Sequence, residues 1–193
     1  MKTICVFCGS NFGARESYAE AARDLARAIA GRGLRLVYGG AKVGLMGALA
    51  DAALEAGGEV VGVIPEALVA REVAHAGLSE IHAVQSMHER KALMADLSDG
   101  FVALPGGAGT LEEAFEIWTW AQLGHHRKPV GILNIDGFYD ALVTFIDHQA
   151  AERFMRQEHR DMLMVEMQSE RLLDRFESYT APLVEKWIRR GER

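Results

Sequence analysis

The sequence lacks long apolar runs and clustered basic residues, and each absence excludes a class of protein. No apolar stretch reaches the length of a membrane-spanning helix, and a predicted strand begins at the N-terminus, so we expect neither a membrane anchor nor a signal peptide. The net charge is −6 and no run of Lys and Arg occurs, which argues against nucleic acid as a partner. We expect a cytoplasmic enzyme or binding protein.

Cysteine is scarce as well, since Cys5 and Cys8 are the only two in the chain. Both fall within one predicted strand, where residues three apart point to opposite faces, so the pair suits neither a disulfide nor a shared metal ion. No second pair is available to complete a zinc site. We therefore expect two core thiols.

Several common catalytic and phosphate-binding motifs are absent. The sequence contains no GxxxxGK[ST] P-loop, no GxGxxG fingerprint, no HExxH zinc motif and no GxSxG nucleophile elbow. Tyr38 and Gly39 occupy the positions where a dinucleotide-binding unit carries an acidic residue. Neither a metal nor a cofactor is required by any pattern in the chain.

The chain instead alternates short apolar runs with helical patterns. The runs predict strands at residues 3–8, 34–38, 59–64, 80–84, 101–104 and 129–134, with a shorter one at 162–165 and a helical tail from Ser169. This alternation is typical of α/β proteins and predicts a Rossmann-like three-layer fold with a central parallel sheet flanked by helices. We expect residues 1–193 to form a single domain.

Residues 101–113 carry the most specific pattern. An apolar run ends at Pro105, three glycines follow, and a helical pattern begins at Thr110. A glycine-rich turn between strand and helix presents free N–H groups at the positive end of a helix dipole, which suits a phosphate. Similar loops at residues 9–13 and 39–44 also follow strands, and the three loops together favour a nucleotide-sized ligand at one edge of the sheet.

Two four-residue patterns allow either a structural or a functional interpretation. Ser86-Met-His-Glu89 and Thr110-Leu-Glu-Glu113 both have the spacing of a helix capping box. We prefer capping for Glu89, whereas Glu113 lies beside a loop that suits phosphate, where a carboxylate is unexpected unless it acts on the ligand. Arg90 follows in the first helical turn, where a cation is unfavourable unless an anion compensates it.

Other polar residues are assigned to structural positions. We expect Glu112 at the surface or in a salt bridge, and Asp96 on a helix surface. His125-His126 follow Gly124, a predicted helix C-cap where cations suit the dipole. Lys42 either contacts phosphate or faces solvent.

Two motifs resemble signatures of the Lonely Guy family, the cytokinin riboside 5′-monophosphate phosphoribohydrolases. Pro105-Gly-Gly-Ala-Gly-Thr-Leu-Glu-Glu113 matches PGGxGTxxE, and Ser86-Met-His-Glu-Arg-Lys91 is similar to the second signature. Similarity at residues 5–10, 36–40, 43–47, 62–65 and 120–124 extends the resemblance over most of the chain. Ala41-Lys42 departs from the small residues common in relatives.

The resemblance implies a nucleotide-binding hydrolase domain that cleaves the N-glycosidic bond of an N6-modified adenosine 5′-monophosphate, releasing the free base (a cytokinin) and ribose 5-phosphate. It implies that Glu113 and Arg90 are catalytic. The implied substrate-binding residues are Gly106, Gly107, Gly109, Thr110, Lys91, Ser10, Gly40 and Met87. It also implies a homodimer. The pattern of helix 111–123 supports this expectation, because Ile117 and Trp120 lie on its side and would leave apolar area exposed in a monomer.

Two alternatives remain open. A nucleotide-binding or molybdenum-cofactor carrier protein without hydrolase activity could have a related fold and a similar phosphate loop. Lysine decarboxylase, a label attached to such sequences, would need a Schiff-base lysine for pyridoxal phosphate, and the chain offers Lys2, Lys42, Lys91, Lys128 and Lys186. The residues decide neither the preferred base nor the division of proton transfers between Glu113 and Arg90.

Overall fold

The computed structural model describes residues 1–69 and 74–182. Each predicted strand is present, with both ends within one residue of the prediction. The strands are β1 (Thr3–Phe7), β2 (Arg35–Tyr38), β3 (Val60–Pro65), β4 (Glu80–Val84), β5 (Gly100–Ala103), β6 (Val130–Leu133) and β7 (Leu163–Glu166). The short apolar runs were a sufficient signal because strands buried on both faces need no alternation with polar residues.

The strands form one parallel sheet in the order β4-β3-β2-β1-β5-β6-β7. Cys5 of β1 pairs with Val37 on one side and with Phe101 on the other. The chain moves outward from β1 through β2, β3 and β4, and then returns to β5 and moves in the opposite direction. The carboxyl ends of β1 and β5 therefore flank a topological switch point, where ligands bind in open α/β sheets.

Helices cover both faces of the sheet. They are α1 (Glu16–Gly31), α2 (Gly44–Glu55), α3 (Glu66–Val69), α4 (Met87–Leu97), α5 (Ala108–Gln122), α6 (Asp140–Ala151), α7 (Gln157–Asp161) and α8 (Ser169–Glu177). One apolar core holds α1, α2 and α8 against one face, and a second holds α4, α5 and α6 against the other. The predicted three-layer arrangement is confirmed.

Helix α5 is more fully packed than its sequence pattern suggests. Trp118 is buried and donates its indole N–H to the His159 carbonyl at 2.9 Å. Ile117, expected on the uncovered side of this helix, is buried in the same core, whereas Phe115 and Trp120 remain half-buried. Ile117 therefore adds nothing to the exposed apolar surface that a partner chain could cover.

The two cysteines behave as the strand geometry predicts. Cys5 packs in the core beneath α4 and α5, and Cys8 belongs to the core on the opposite side of the sheet. Both are free and buried, and burial raises the pKa of both thiols. These observations confirm the expectation of core thiols.

The remaining expectations concern the chain termini and the irregular region. The helical tail begins at Ser169 as predicted and forms α8, while residues 183–193 lie outside the described residues, as do residues 70–73. The irregular region includes the short α3, and beyond the gap Ala74 forms an antiparallel bridge with Ala41. Within the described ranges, every helix is too short or too polar to cross a bilayer.

Candidate active site

The glycine loop after β5 packs directly against the loop after β1. The Gly9 N–H donates to the Pro105 carbonyl at 3.1 Å. A Cβ on Gly106 would lie 2.1 Å from Thr110 Oγ1 and 2.9 Å from the Gly9 nitrogen, so this approach requires glycine. Helix α5 begins at Ala108, and its first N–H groups have no acceptor within the helix. These groups can bind an anion such as phosphate.

This helix begins two residues earlier than predicted, which changes the interpretation of Thr110 and Glu113. Gly107 is the N-cap and Thr110 occupies the third helical position, which excludes the structural alternative of a capping box formed by Thr110 and Glu113. The predicted start of the helix was too late because glycine disfavours the helical conformation. Glu113 lies in the second turn, where backbone N–H groups already bond within the helix. Its carboxylate therefore has no capping role.

A cleft of about 310 Å³ opens beside the glycine loop at the carboxyl ends of β1 and β5. Seven of the ten predicted site residues line it, namely Ser10, Met87, Arg90, Gly107, Gly109, Thr110 and Glu113. Gly106 lies on the other side of the loop, where it lines an adjoining cavity of about 240 Å³ together with Tyr18 and Phe138. One cleft thus combines the N-terminus of α5 with a carboxylate and a guanidinium.

The remaining two predicted residues do not line this cleft. The Lys91 amine donates to Glu112 Oε1 at 2.5 Å and to Glu116 Oε1 at 3.1 Å, so it is directed to carboxylates of α5, and substrate binding by Lys91 stays a prediction. The same contact confirms Glu112 as a salt-bridge partner. Gly40 has a φ of 78° and its carbonyl accepts the His75 N–H, so it shapes the chain after β2 instead of contacting the cleft.

Glu113 is the buried carboxylate of the cleft. Its side chain is 12% exposed, and its Oε1 lies 3.9 Å from Nη1 of Arg90. Burial raises the pKa of Glu113 to about 6, with the Arg90 charge acting in the opposite direction. At neutral pH the group is mostly ionised but has a basicity that suits it to accept a proton.

Arg90 reaches the cleft from α4, whose start follows the predicted pattern. Ser86 Oγ accepts the Glu89 N–H at 3.1 Å, and the Glu89 carboxylate reaches back to the Gln85 N–H, which confirms capping for Glu89. The buried Arg90 side chain donates its Nε–H to the Val63 carbonyl at 3.1 Å. The Gly39 carbonyl accepts from Nη2 at 3.5 Å. These backbone contacts hold the guanidinium 3.9 Å from the Glu113 carboxylate without a direct hydrogen bond.

Sequence reasoning missed several residues of the cleft wall. Gly39 lies in a predicted loop, but its role becomes visible only in three dimensions, because a Cβ there would lie 2.1 Å from Arg90 Nη2. Met46, Met94 and Cys8 also line the cleft. No sequence signal distinguishes them from ordinary core residues, since all three are apolar and buried.

The residues assigned to structural positions are found there. Asp96 and Lys42 are exposed, so of the two options for Lys42 the structure favours solvent. Gly124 ends α5 with a φ of 79°, and a His126 ring nitrogen lies 2.9 Å from the Ile117 carbonyl. In residues 1–69 and 74–182, no group of three or more His, Cys, Asp or Glu side chains could hold a metal ion.

A protein-family model described as possible lysine decarboxylase matches residues 46–176. That chemistry would need a lysine in the cleft to hold pyridoxal phosphate. No lysine of the described ranges lines it: Lys2 and Lys42 are exposed, Lys91 is ion-paired, and Lys128 donates to the Ala95 carbonyl. Lys186 lies outside the described residues. The cleft therefore does not fit the cofactor that the description implies.

Solved structures confirm the fold. The molybdenum cofactor carrier protein of Chlamydomonas reinhardtii is similar with a TM-score of 0.70 at 20% identity, covering 92% of this chain and 99% of that one. The molybdenum cofactor binding protein of Rippkaea orientalis has a TM-score of 0.68 at 22% identity, covering 92% and 97%. At this identity the likeness concerns the Rossmann-like architecture alone.

Curated relatives are far more similar in sequence. A cytokinin riboside 5′-monophosphate phosphoribohydrolase of Arabidopsis thaliana is 49% identical over 178 residues, which is 92% of this chain and 78% of the relative. A protein of the same name from Rhodococcoides fascians is 53% identical over 165 residues, 85% of this chain and 83% of the relative. With this identity over most of both chains, the protein belongs to the cytokinin riboside 5′-monophosphate phosphoribohydrolase family, the Lonely Guy family.

Proposed function

We propose that this protein hydrolyses the N-glycosidic bond of N6-modified adenosine 5′-monophosphate and releases the free base and ribose 5-phosphate. The observation that carries the proposal is the pairing of Glu113 with Arg90 in a cleft that also contains the N-terminus of α5. An anion site beside a buried carboxylate suits a substrate that has a phosphate at one end and a bond to be hydrolysed a few ångströms away. Membership of the family supports the same reaction.

The reaction breaks the bond between C1′ of the ribose and a nitrogen of the base. Positive charge develops on the ribose as the base leaves with the electron pair, as in other glycosidic cleavages. In our proposal the Glu113 carboxylate stabilises this charge and accepts a proton from the water that attacks C1′. The departing base takes up one proton, which balances the proton that Glu113 accepts from water, and Arg90 orients the substrate in the cleft.

The phosphate would bind at the start of α5. Gly107, Gly109 and Thr110 line the cleft at the positive end of this helix, and Ser10 faces them from the loop after β1. Met87 stands at the cleft rim, half-exposed, where the base would enter. The binding roles of these residues are proposals that rest on their positions.

Incubation of the purified protein with a panel of nucleotides tests the function. Adenosine 5′-monophosphate, its N6-prenylated form and the matching nucleosides are supplied, and the released bases are separated by chromatography. We expect base release from the monophosphates and not from the nucleosides, because the anion site needs the phosphate. Nucleotide binding without any base release would contradict the hydrolase proposal and leave a binding protein.

Gly39→Ala tests whether the position of the Arg90 guanidinium matters. A Cβ at Gly39 would lie 2.1 Å from Nη2 of Arg90, the far end of a flexible side chain, so the guanidinium would move at little cost to folding. We expect turnover to fall at least about tenfold, equivalent to roughly 1.4 kcal/mol, with little change in Tm. Gly31→Ala is the matched control, because a Cβ on Gly31 at the end of α1 meets no atom within 4 Å. Equal turnover in both variants would contradict a positioned Arg90.

We also propose that the protein is a homodimer. Besides the half-buried Phe115 and Trp120 of α5, Phe154 is 88% exposed and Phe145 on α6 is 57% exposed, which leaves apolar area for a partner to cover. Light scattering at micromolar concentration should give about twice the chain mass of 21.2 kDa. A monomeric mass would overturn the proposal. The single domain over residues 1–193 and the cytoplasmic location stay predictions.

A further inference from the structure

Lys91 is a buried cation that the proposed reaction does not use. It follows Arg90 on α4, and its side chain is only 9% exposed. Its amine lies 2.5 Å from Glu112 Oε1 and 3.0 Å from Glu116 Oε2, so it bridges α4 to two carboxylates of α5. These two residues flank Glu113 along the helix, one immediately before it and the other three residues after it.

Helix α5 concentrates negative charge around the carboxylate of the cleft. Three glutamates lie within five residues, and like charges at this spacing repel each other on a helix. The charges of Glu112 and Glu116 raise the pKa of Glu113, whereas those of Arg90 and Lys91 lower it. Cys5 on β1 and Cys8 just after this strand lie on opposite sides of the sheet, and burial keeps both thiols neutral, with the Glu113 charge acting in the same direction. The ionisation of Glu113 therefore depends on how completely the flanking carboxylates are neutralised.

We propose that Lys91 is a positioning residue that acts on Glu113 through Glu112 and Glu116. It ties α4 to α5, so that Arg90 and Glu113 face each other across the cleft. It also offsets part of the charge of the two flanking carboxylates, which favours the ionised form of Glu113 at neutral pH. Lys91 does this without touching the substrate, and its consequence for turnover rests on the proposed function.

The pH dependence of kcat/KM for base release separates this role from a structural one. Because Glu113 works as a carboxylate, activity of the wild type should fall as the pH drops through about 6. In Lys91→Met the two flanking charges are uncompensated, and we expect the acidic limb to move to higher pH by at least about half a unit. Lys91→Arg keeps the charge and should leave the limb near its wild-type position.

Glu116→Gln provides a test with the opposite sign. Glu116 does not line the cleft, and its replacement removes one of the two negative charges that flank Glu113, so that the Lys91 charge is matched by Glu112 alone. We expect the acidic limb to move to lower pH in this variant, and the double variant Lys91→Met/Glu116→Gln to lie between the two single variants. A limb that stays at the wild-type pH in both single variants, whatever the loss of kcat, would overturn the proposal.

A titration that needs no turnover distinguishes failure of this proposal from failure of the proposed function. The carboxyl carbon of Glu113 is followed by NMR in protein labelled with ¹³C-glutamate, and its signal is assigned by its loss in Glu113→Gln. The inferred role requires its midpoint to rise in Lys91→Met and to fall in Glu116→Gln. If the midpoints move while the wild type releases no base, the proposed function fails and the role of Lys91 stands. If the midpoints do not move while base is released, the role of Lys91 is wrong.

Discussion

Glu113→Gln is expected to fold and to bind nucleotide but to lose at least about a hundredfold in base release, the lower end of what acid–base catalysis contributes. The amide has the size of the carboxylate, so the cleft keeps its shape. It carries no charge to face an oxocarbenium-like ribose, and it cannot accept a proton from water. Steady-state kinetics with the N6-modified monophosphate, alongside a nucleotide-binding titration, give the two numbers to compare.

The same variant should be more stable than the wild type at neutral pH. The folded protein raises the pKa of Glu113 from 4.5 to about 6, so the ionised, buried carboxylate destabilises the fold at pH 7. The folded state binds this proton more tightly than the unfolded state does, and stability attributable to Glu113 is therefore lost as the pH rises from 4.5 to about 6. Glutamine avoids this cost, which is on the order of 2 kcal/mol at 1.36 kcal/mol per pKa unit. Chemical denaturation at pH 7 and at pH 4.5 measures the gain, which should vanish at the lower pH.

Asp96→Asn is the matched control for both effects. It removes one negative charge from the exposed surface of α4 and should leave turnover and stability close to wild type. Substantial base release by a folded Glu113→Gln protein would exclude Glu113 as the catalytic carboxylate. A Glu113→Gln protein that gains stability and loses activity is the result expected if the buried Glu113 charge destabilises the fold but is required for catalysis.

The sequence predicted the sheet well because its strands carry the strongest local signal. The strand predicted at residues 59–64, for example, rests on four β-branched residues and one glycine between Glu59 and Pro65, and the structure has it at Val60–Pro65. Parallel pairing with helical connections follows from the alternation of strands and helices, whereas the order of the strands was not predicted and is a finding of the structure. Helix starts were less predictable, and α5 shows why. Its first turn contains Gly109, which propensity disfavours, and the early start is supported instead by the packing of Gly106 against Thr110 and Gly9.

The positions of the site residues were predictable where the backbone and a sequence motif determine them. They were less predictable where a long side chain can reach several partners. The glycine loop, Arg90 and Glu113 follow from motif and topology, and the structure brings them to one cleft. Lys91 has the same formal charge as Arg90 and lies next to it, but its amine meets α5 carboxylates that are more than twenty residues away in sequence. Consecutive residues on a helix point about 100° apart, so neighbouring cations can serve different partners.

Arg90→Ala is expected to lower turnover at least about tenfold, equivalent to roughly 1.4 kcal/mol. The change removes the cation that faces Glu113 at 3.9 Å and leaves the Val63 carbonyl without its donor. Some loss of stability is expected as well, because Arg90 is buried. Arg27→Ala, which removes an exposed arginine from α1, is the matched control and should retain full activity.

The loss in Arg90→Ala has two components that pH separates. The Arg90 charge lowers the pKa of Glu113, so its removal raises that pKa further and leaves more of the carboxylate protonated at pH 7. This component should be recovered above about pH 8, whereas the loss of the guanidinium contact with the substrate should persist. A variant with unchanged kinetics and a lower Tm would assign Arg90 to structure alone. If Arg90 and Glu113 act as a unit, the double variant Arg90→Ala/Glu113→Gln should be little slower than Glu113→Gln, because the second change removes an interaction that the first has already disabled.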